Sequence, residues 1–390
     1  MSAAGKAPVR VEEIPLGGRR IAAFVDVPWR LYRGDPHWTP PLRAELLGSR
    51  ILGLDGILTP AHPYHRHAEV THFVAWRGDD AVGRISAAVN HRYNDYHGER
   101  IGFFGFFESV DDDAVATALL DKAREWVAAR GMTVFRGPGE YSTATHERMG
   151  VLIEGFQYPP VVELTHNPPF YGRLLERYGL GKAIDLYAYH LDATKPVPKR
   201  VVVLAERVRK RQDVTVRSVV PSRLGEEVAL IIEIYNDAWS ENWGFLPITD
   251  EEAAALADTL KTIVDPGLIR FAYVDGQPAA VLGAFPDPNC ALRPRWRWYG
   301  DSDAIRVARL MLTRRHLPRT RLLFFGIRPP FRNQGLDALL YDDVLSYGRG
   351  KGYKECDISL LVETNHLILK ASESMGAHRY KTWRVYEMPV

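Results

Sequence analysis

The two halves of this chain repeat one order of elements, and that repetition limits what it can fold into. In the first half, "HFVAWRGDDAVGRISAAVN" (72–90) reads as two alternating strands joined at a Gly-Asp-Asp turn. In the second, "IRFAYVDGQPAAVLGAF" (269–285) has the same form, with Asp275-Gly276 at the turn. An apolar strand follows each hairpin, "IGFFGFF" (101–107) and "RLLFFGI" (321–327). Each then leads into a helix of helical apolar spacing: 112–131 with Val115, Leu119, Ala123 and Trp126 on one face, and 336–350 with Leu336, Leu339, Leu340 and Tyr347. A further strand follows in each half ("MTVFRG" and "KECDISLLV"), then a helix-like segment opened by Asn and ended by Gly, then an aromatic strand ("AIDLYAYHL" and "RYKTWRVYEM"). Asn167 and Asn365 lie 198 positions apart, Gly179 and Gly376 197. A repeat of this period predicts a duplicated domain rather than a solenoid. The element order predicts an α/β (α+β) fold with helices on the faces of a mixed sheet. The turn-prone "LDATKPVPKR" (191–200) reads as a linker between domains 1–190 and 201–390.

At 390 residues the chain is too long for one core, which agrees with two domains. Its 46% hydrophobic and 25% charged residues, with a formal net charge of +2, are ordinary for a soluble protein and give no global reason to expect DNA as a partner. No apolar run approaches the roughly 18 residues of a membrane span, and "MSAAGKAPVRVEEIPLGG" lacks the apolar core of a secretory signal. A cytoplasmic location is expected, with contact at the inner membrane surface as its extension. Cys290 and Cys356 stand in no metal-ligand spacing, so neither a disulfide scaffold nor structural zinc is expected.

Where the second half passes from strand to helix, "FFGIRPPFRNQGLDALL" places Arg332 three residues before Gly335. A helix N-terminus exposes unpaired N–H groups and about half a positive charge. Gly335 lets the backbone approach a pyrophosphate, Arg332 can fork onto phosphate oxygens, and Pro329-Pro330 fix the exit from the strand. The strand edge from Phe325 to Ile327 can pair with a pantetheine arm as an added strand would. A plain strand–turn–helix junction with a surface Arg is the alternative.

These residues resemble the acyl-CoA loop of GNAT acyltransferases, Arg/Gln-x-x-Gly-x-Gly/Ala, with Asp337 where the family has a small residue. The resemblance implies two tandem GNAT-like domains, each a mixed, mostly antiparallel twisted sheet flanked by helices. It implies a donor site of Ile327, Arg332, Asn333, Gln334, Gly335, Leu336 and Asp337. The family's later Asn, with Gly eleven residues on, is matched by Asn365 and Gly376. The Tyr acid often found seven residues after that Asn is Ser372 here, so the acid is absent or comes from elsewhere. The first half has no such loop and resembles a degenerate copy. The combined layout, with "VGRISAAVN", "GFFGFFE" and "YNDAWSENWGFLPIT", is similar to a bacterial tandem-GNAT group that includes ceramide synthases.

The function expected from this is transfer of an acyl group, a long chain included, from acyl-CoA or acyl carrier protein to a primary amine such as a sphingoid base, with no resident cofactor. A non-catalytic acyl-CoA sensor and an aminoacyl transferase using charged tRNA are the alternatives. Glu363 and Asn365, at the end of "ISLLV", are candidate catalytic groups, against a helix cap and a solvated acid. Tyr235, Asn236, Glu241 and Asn242 are candidates for the acceptor pocket, against a loop packed by two tryptophans. Tyr341 either faces the thiol or lies in the core. His146, Glu147, Glu163 and His166 match no metal spacing and read as loop polarity or as part of a cleft, and His62, His65 and His67 as a surface loop. Glu108 is a base candidate at the equivalent strand end of the degenerate half. Arg306, Arg309, Arg314, Arg315, Arg319 and Arg321, set among Val307, Leu310, Met311 and Leu312, read as a basic amphipathic helix. Such a helix suits an anionic membrane or an acidic donor, or is simply solvated.

Overall fold

The computed structural model describes residues 7–51, 53–141, 148–254, 264–294 and 302–390. The chain divides into two compact units, 1–185 with 383–390, and 186–382. In chain order the first half forms β1 (Arg10–Pro15), α1 (Ile21–Leu31), α2 (Arg43–Leu47), β2 (Ala68–Arg77), β3 (Asp80–Asn90), α3 (His91–His97) and β4 (Ile101–Ser109). It continues with α4 (Asp113–Ala128), β5 (Val134–Gly137), β6 (Val151–Glu154), α5 (Tyr171–Tyr178) and β7 (Gly181–Asp192). The second half forms α6 (Lys199–Arg209), β8 (Val214–Ser218), α7 (Leu224–Trp239), β9 (Ile269–Val274), β10 (Gln277–Pro286), α8 (Asn289–Leu292) and α9 (Asp303–Thr313). It ends with β11 (Arg319–Ile327), α10 (Leu336–Lys351), β12 (Glu355–Val362), α11 (His366–Ser374) and β13 (His378–Pro389).

The first unit's sheet runs β1-β2-β3-β4-β5-β13, and the second's β7-β12-β11-β10-β9-β8. Only β4–β5 and β11–β12 are parallel among the registers observed; the neighbouring ladders are antiparallel. The expected boundary at 191–200 is displaced for a specific reason. Residues 186–192 of β7 pair with β12 in the second unit (Asp192↔Glu355 to Leu186↔Val362), and the end of β13 pairs with β5 in the first (Tyr386↔Gly137). Each unit is thus completed by the last strand of the other half.

Alternation along the strands builds the cores. In the first unit Phe73 and Ala75 join Val115, Leu119, Leu120 and Ala123 of α4, while Val74 and Trp76 join Phe24, Val25 and Val27 of α1. In the second unit, Leu336, Leu339, Leu340 and Val344 of α10 pack with Ala272, Ala280 and Leu282.

Two expectations about helices are corrected. Asn167 does not open α5. Pro168 and Pro169 follow it and exclude helical backbone there, so its side chain instead bonds Leu152 N and O at 2.7 and 3.2 Å. The arginine-rich segment is not one basic helix either. It ends at Thr313, Arg319 and Arg321 lie in β11, and Arg306 is fully buried, donating to Leu292 O at 2.9 Å.

Trp383, fully buried, anchors the returning strand in the first unit by donating to Thr165 O at 2.9 Å. Trp383→Ala is expected to destabilise that unit by about 3–5 kcal/mol, read as an earlier transition in urea unfolding.

Candidate functional site

The parallel ladder between β11 and β12 stops at Leu322↔Ile358. Beyond it β11 stays on β10 as far as Ile327↔Ala280, with a bulge opposite Gly283/Ala284, while β12 stays on β7 as far as Val362↔Leu186. Released from one another, the two strand ends line a cleft of about 530 Å³ inside the second unit, closed by the end of α7 and the start of α11.

On the β11 side the backbone of Phe325 and Ile327 faces the cleft. Phe325 O accepts from Trp239 Nε1 at 2.7 Å, and Ile327 O from Arg332 Nε at 3.4 Å, rather than from a strand. In an antiparallel partner of β10 each residue's N–H points the same way as its C=O, so both N–H groups face the cleft too. A polyamide arm has an edge here to pair with.

At the far end of that edge the chain turns through Arg332–Gly335 into α10. Asn333 (φ +62°) and Gly335 (φ +79°) are both left-handed, and no side chain caps the helix. A Cβ at Gly335 would also press on Val208 and Leu204, at 3.0 and 3.1 Å. Gln334 is held aside by Arg211, 3.2 Å away, itself paired with Asp213 at 2.6 Å. Arg332 lies along the cleft wall, its Nη2 on Ala238 O at 3.0 Å and its Nη1 3.9 Å from Glu241. Leu336 is buried in the core rather than lining the cleft, whereas Asp337 is on the wall. The outcome is a helix end with open N–H groups, an arginine beside it and the strand edge leading away from it.

The equivalent junction in the first unit is built in the opposite sense. Asp112 caps α4 by accepting from Ala114 N at 3.0 Å, with Arg77 2.9 Å away and Asp111 and Asp113 alongside. Negative charge already occupies that helix end. The gap beyond β4 is filled as well: a Cβ on Gly105 would collide with Gly139 O at 1.8 Å. Glu108 is buried and accepts from Tyr32 and Tyr171 at 2.8 and 2.7 Å, with Arg84 at 3.6 Å. It is a structural carboxyl, not a base open to substrate.

Across the cleft from Arg332, Asn365 caps α11, accepting from Ile368 N at 3.4 Å, and its Nδ2 donates to Asn242 Oδ1 at 3.2 Å. Asn242 and Asn365 are on the wall, as are Thr364 and His366. The Glu363 carboxylate receives Tyr187 Oη at 3.4 Å and does not line the cleft. His366 carried no motif, and only the turn after β12 brings it in.

Tyr235 is buried, stacked on Trp239 at 4.8 Å, and Asn236 accepts from Ile248 N at 3.3 Å; both brace the wall from behind. Tyr341 belongs to the core, its ring 5.2 Å from Phe325, and burial pushes its hydroxyl pKa up. Ser372 is buried and donates to Ile368 O at 2.8 Å, so no acid replaces the Tyr at that position. In the first unit His62, His65 and His67 bond locally, to Tyr64 N, Ile57 O and Asn90. Glu163 pairs with Arg148 and His166 with Asp35. His146 and Glu147 lie outside the described residues.

Two such units, one opened between its parallel strands and one sealed, define a tandem GNAT acyltransferase. In overall fold the chain is similar to a tandem GNAT protein from the clavulanic acid biosynthesis pathway (TM-score 0.56, 14% identity, covering 97% of this chain and 98% of that one). It is 34% identical to the bacterial ceramide synthase of Caulobacter vibrioides over 94% of each chain. It is 32% identical to Protein YghO of Escherichia coli, over 95% of this chain and 93% of that one. No family model matches the chain. The chain belongs to the family of the Caulobacter ceramide synthase.

Burial raises the Glu108 pKa from an ordinary 4.5 to about 7. A raised folded value means that its stabilising contribution is complete below pH 4.5 and is lost as pH climbs through 7. Glu108→Gln is expected to flatten the fall in stability between pH 4.5 and 7, measured by urea midpoints across that range.

Proposed function

We propose that this protein transfers an acyl group from a phosphopantetheine thioester to the primary amine of a long-chain amino alcohol of the sphingoid type. The observation that carries the reading is the continuity of the uncapped α10 N-terminus and the open β11 edge within one cleft. Pyrophosphate suits the N–H groups at Gly335 and Leu336, with Arg332 swinging from Ala238 O to neutralise it. The pantetheine arm suits the backbone of Phe325 and Ile327, in the cleft that Asn365 also lines. The apolar walls, Leu322, Phe324, Leu360 and Leu361 among them, suit hydrocarbon. The name of the Caulobacter relative supports a sphingoid acceptor and a long acyl donor.

The amine nitrogen attacks the thioester carbonyl, the C–S bond breaks, and the thiolate leaves to take up a proton. An alkyl ammonium titrates near ~10.4, so losing its proton at pH 7 costs about 4–5 kcal/mol unless a base assists. Two groups near Asn365 in sequence suit that duty: His366 on the wall, and Glu363, which accepts from Tyr187 and lies off the wall. The second Nδ2 hydrogen of Asn365 is suited to the thioester oxygen as charge grows there.

Calorimetric titration with acetyl-CoA and palmitoyl-CoA tests the donor site. Each buried methylene contributes up to about 0.8 kcal/mol, so palmitoyl-CoA is expected to bind far more tightly, and Arg332→Ala to weaken both. Equal affinity for the two donors removes the long-chain reading. A carrier-protein donor is indicated if palmitoyl carrier protein binds and neither CoA thioester does. Turnover with a sphingoid amine assigns the base. Glu363→Gln or His366→Ala, whichever holds that role, should lower kcat about a hundredfold or more, and loss in neither variant eliminates both groups.

A further inference from the structure

Helix α9 is built inside out. Its inward side carries Arg306, fully buried, beside Leu310, with Arg306 donating to Leu292 O and Arg309 to Ala291 O and Arg293 O. Its outward side carries Ala304, Ile305, Ala308, Met311 and Leu312, all exposed, Ile305 by 53% and Leu312 by 84%. At 100° per residue these five fall within an arc of about 120°, one unbroken apolar stripe. A core-facing helix has the reverse pattern, and a solvated one would place its arginines outward. Buried Arg306 and half-buried Arg309 spend donors on backbone carbonyls, and the apolar side chains face out.

The end of the stripe is basic. Arg314, Arg315 and His316 follow the helix as an exposed turn, and Arg293 is exposed beside Arg309. The one carboxylate on the helix, Asp303, lies 3.3 Å from buried Arg306. No helix among the described residues is long and apolar enough to cross a membrane, and α9, at 11 residues, is about 16 Å long.

We propose that α9 and the Arg314–His316 turn form a docking surface for an anionic phospholipid bilayer. The helix lies in the interface with its apolar stripe among the acyl chains and its basic end at the headgroups. The breadth of the apolar stripe favours lipid over an acidic protein, which would meet the arginines first. The proposal goes beyond acyl transfer and stands whether or not that reading holds.

Vesicle co-sedimentation of the full chain tests it, with phosphatidylcholine alone and with phosphatidylglycerol added. The chain is expected to pellet with phosphatidylglycerol vesicles, less so as salt rises, and to ignore pure phosphatidylcholine. Ile305→Ser/Leu312→Ser is expected to weaken that binding at least about tenfold, and Arg315→Glu to weaken it at low salt. Both sets of positions are exposed and distant in sequence from the donor loop, so urea midpoints and palmitoyl-CoA affinity should be unchanged. Failure to bind phosphatidylglycerol vesicles overturns the proposal. Binding unaffected by the Ile305/Leu312 pair, or an acidic carrier protein captured through this face without vesicle binding, also overturns it.

Discussion

The cleft of the second unit depends on where one strand pair stops. As long as β11 and β12 share hydrogen bonds, up to Leu322↔Ile358, the sheet is continuous and its surface is covered by helices like any other core. Past that point each strand is held only by its outer neighbour, β10 or β7, and the backbone of Phe325 and Ile327 is left without a strand partner. Unpaired backbone polar groups are costly when buried, so they must meet water, a side chain or a ligand. Here Trp239 and Arg332 meet two of the carbonyls. Those contacts hold the edge in its extended form, and each is made by a side chain that can rotate away.

The two units show how one fold is either opened or closed to a ligand by a few residues at one junction. Both have a parallel pair, a turn and a long helix after it. In the first unit Asp112 satisfies the helix N-terminus from within and Gly139 fills the space above Gly105. In the second, a glycine in left-handed conformation replaces the capping acid. The carboxyl of Glu108, at the matching strand end, is enclosed by two tyrosines and an arginine. In the first unit the matching place is core.

The duplication and the strand–turn–helix junction at Arg332–Gly335 were legible because they rest on local signals: strand alternation, helical spacing, and a glycine placed where a strand becomes a helix. What was not legible depends on distant partners. Asn167 and Asn365 hold equivalent positions, yet only Asn365 caps a helix, because two prolines follow Asn167. Tyr235 and Asn242 sit in one polar-aromatic stretch, but Tyr235 is on a buried face of α7, whereas Asn242, beyond the helix end at Trp239, is on the cleft wall. Which of Glu363 and His366 reaches the cleft is set by the turn after Val362, on which spacing is silent. The arginines of α9 read as surface because the carbonyls that receive them, at Ala291, Leu292 and Arg293, cannot be foreseen from the helix itself.

The exchanged last strands also set a timetable for synthesis. Residues 383–390 belong to the first unit, so its sheet lacks the strand beside β5 until those residues have left the ribosome. The second unit takes its edge from 186–192 and has all its residues once Thr382 is out. The half translated first is therefore the one finished last, reversing the usual N-to-C order in which domains mature. Until then β5 is a nascent edge strand open to wrong partners, and a message cut short just after Thr382 would release a chain with a complete second unit beside an unfinished first one.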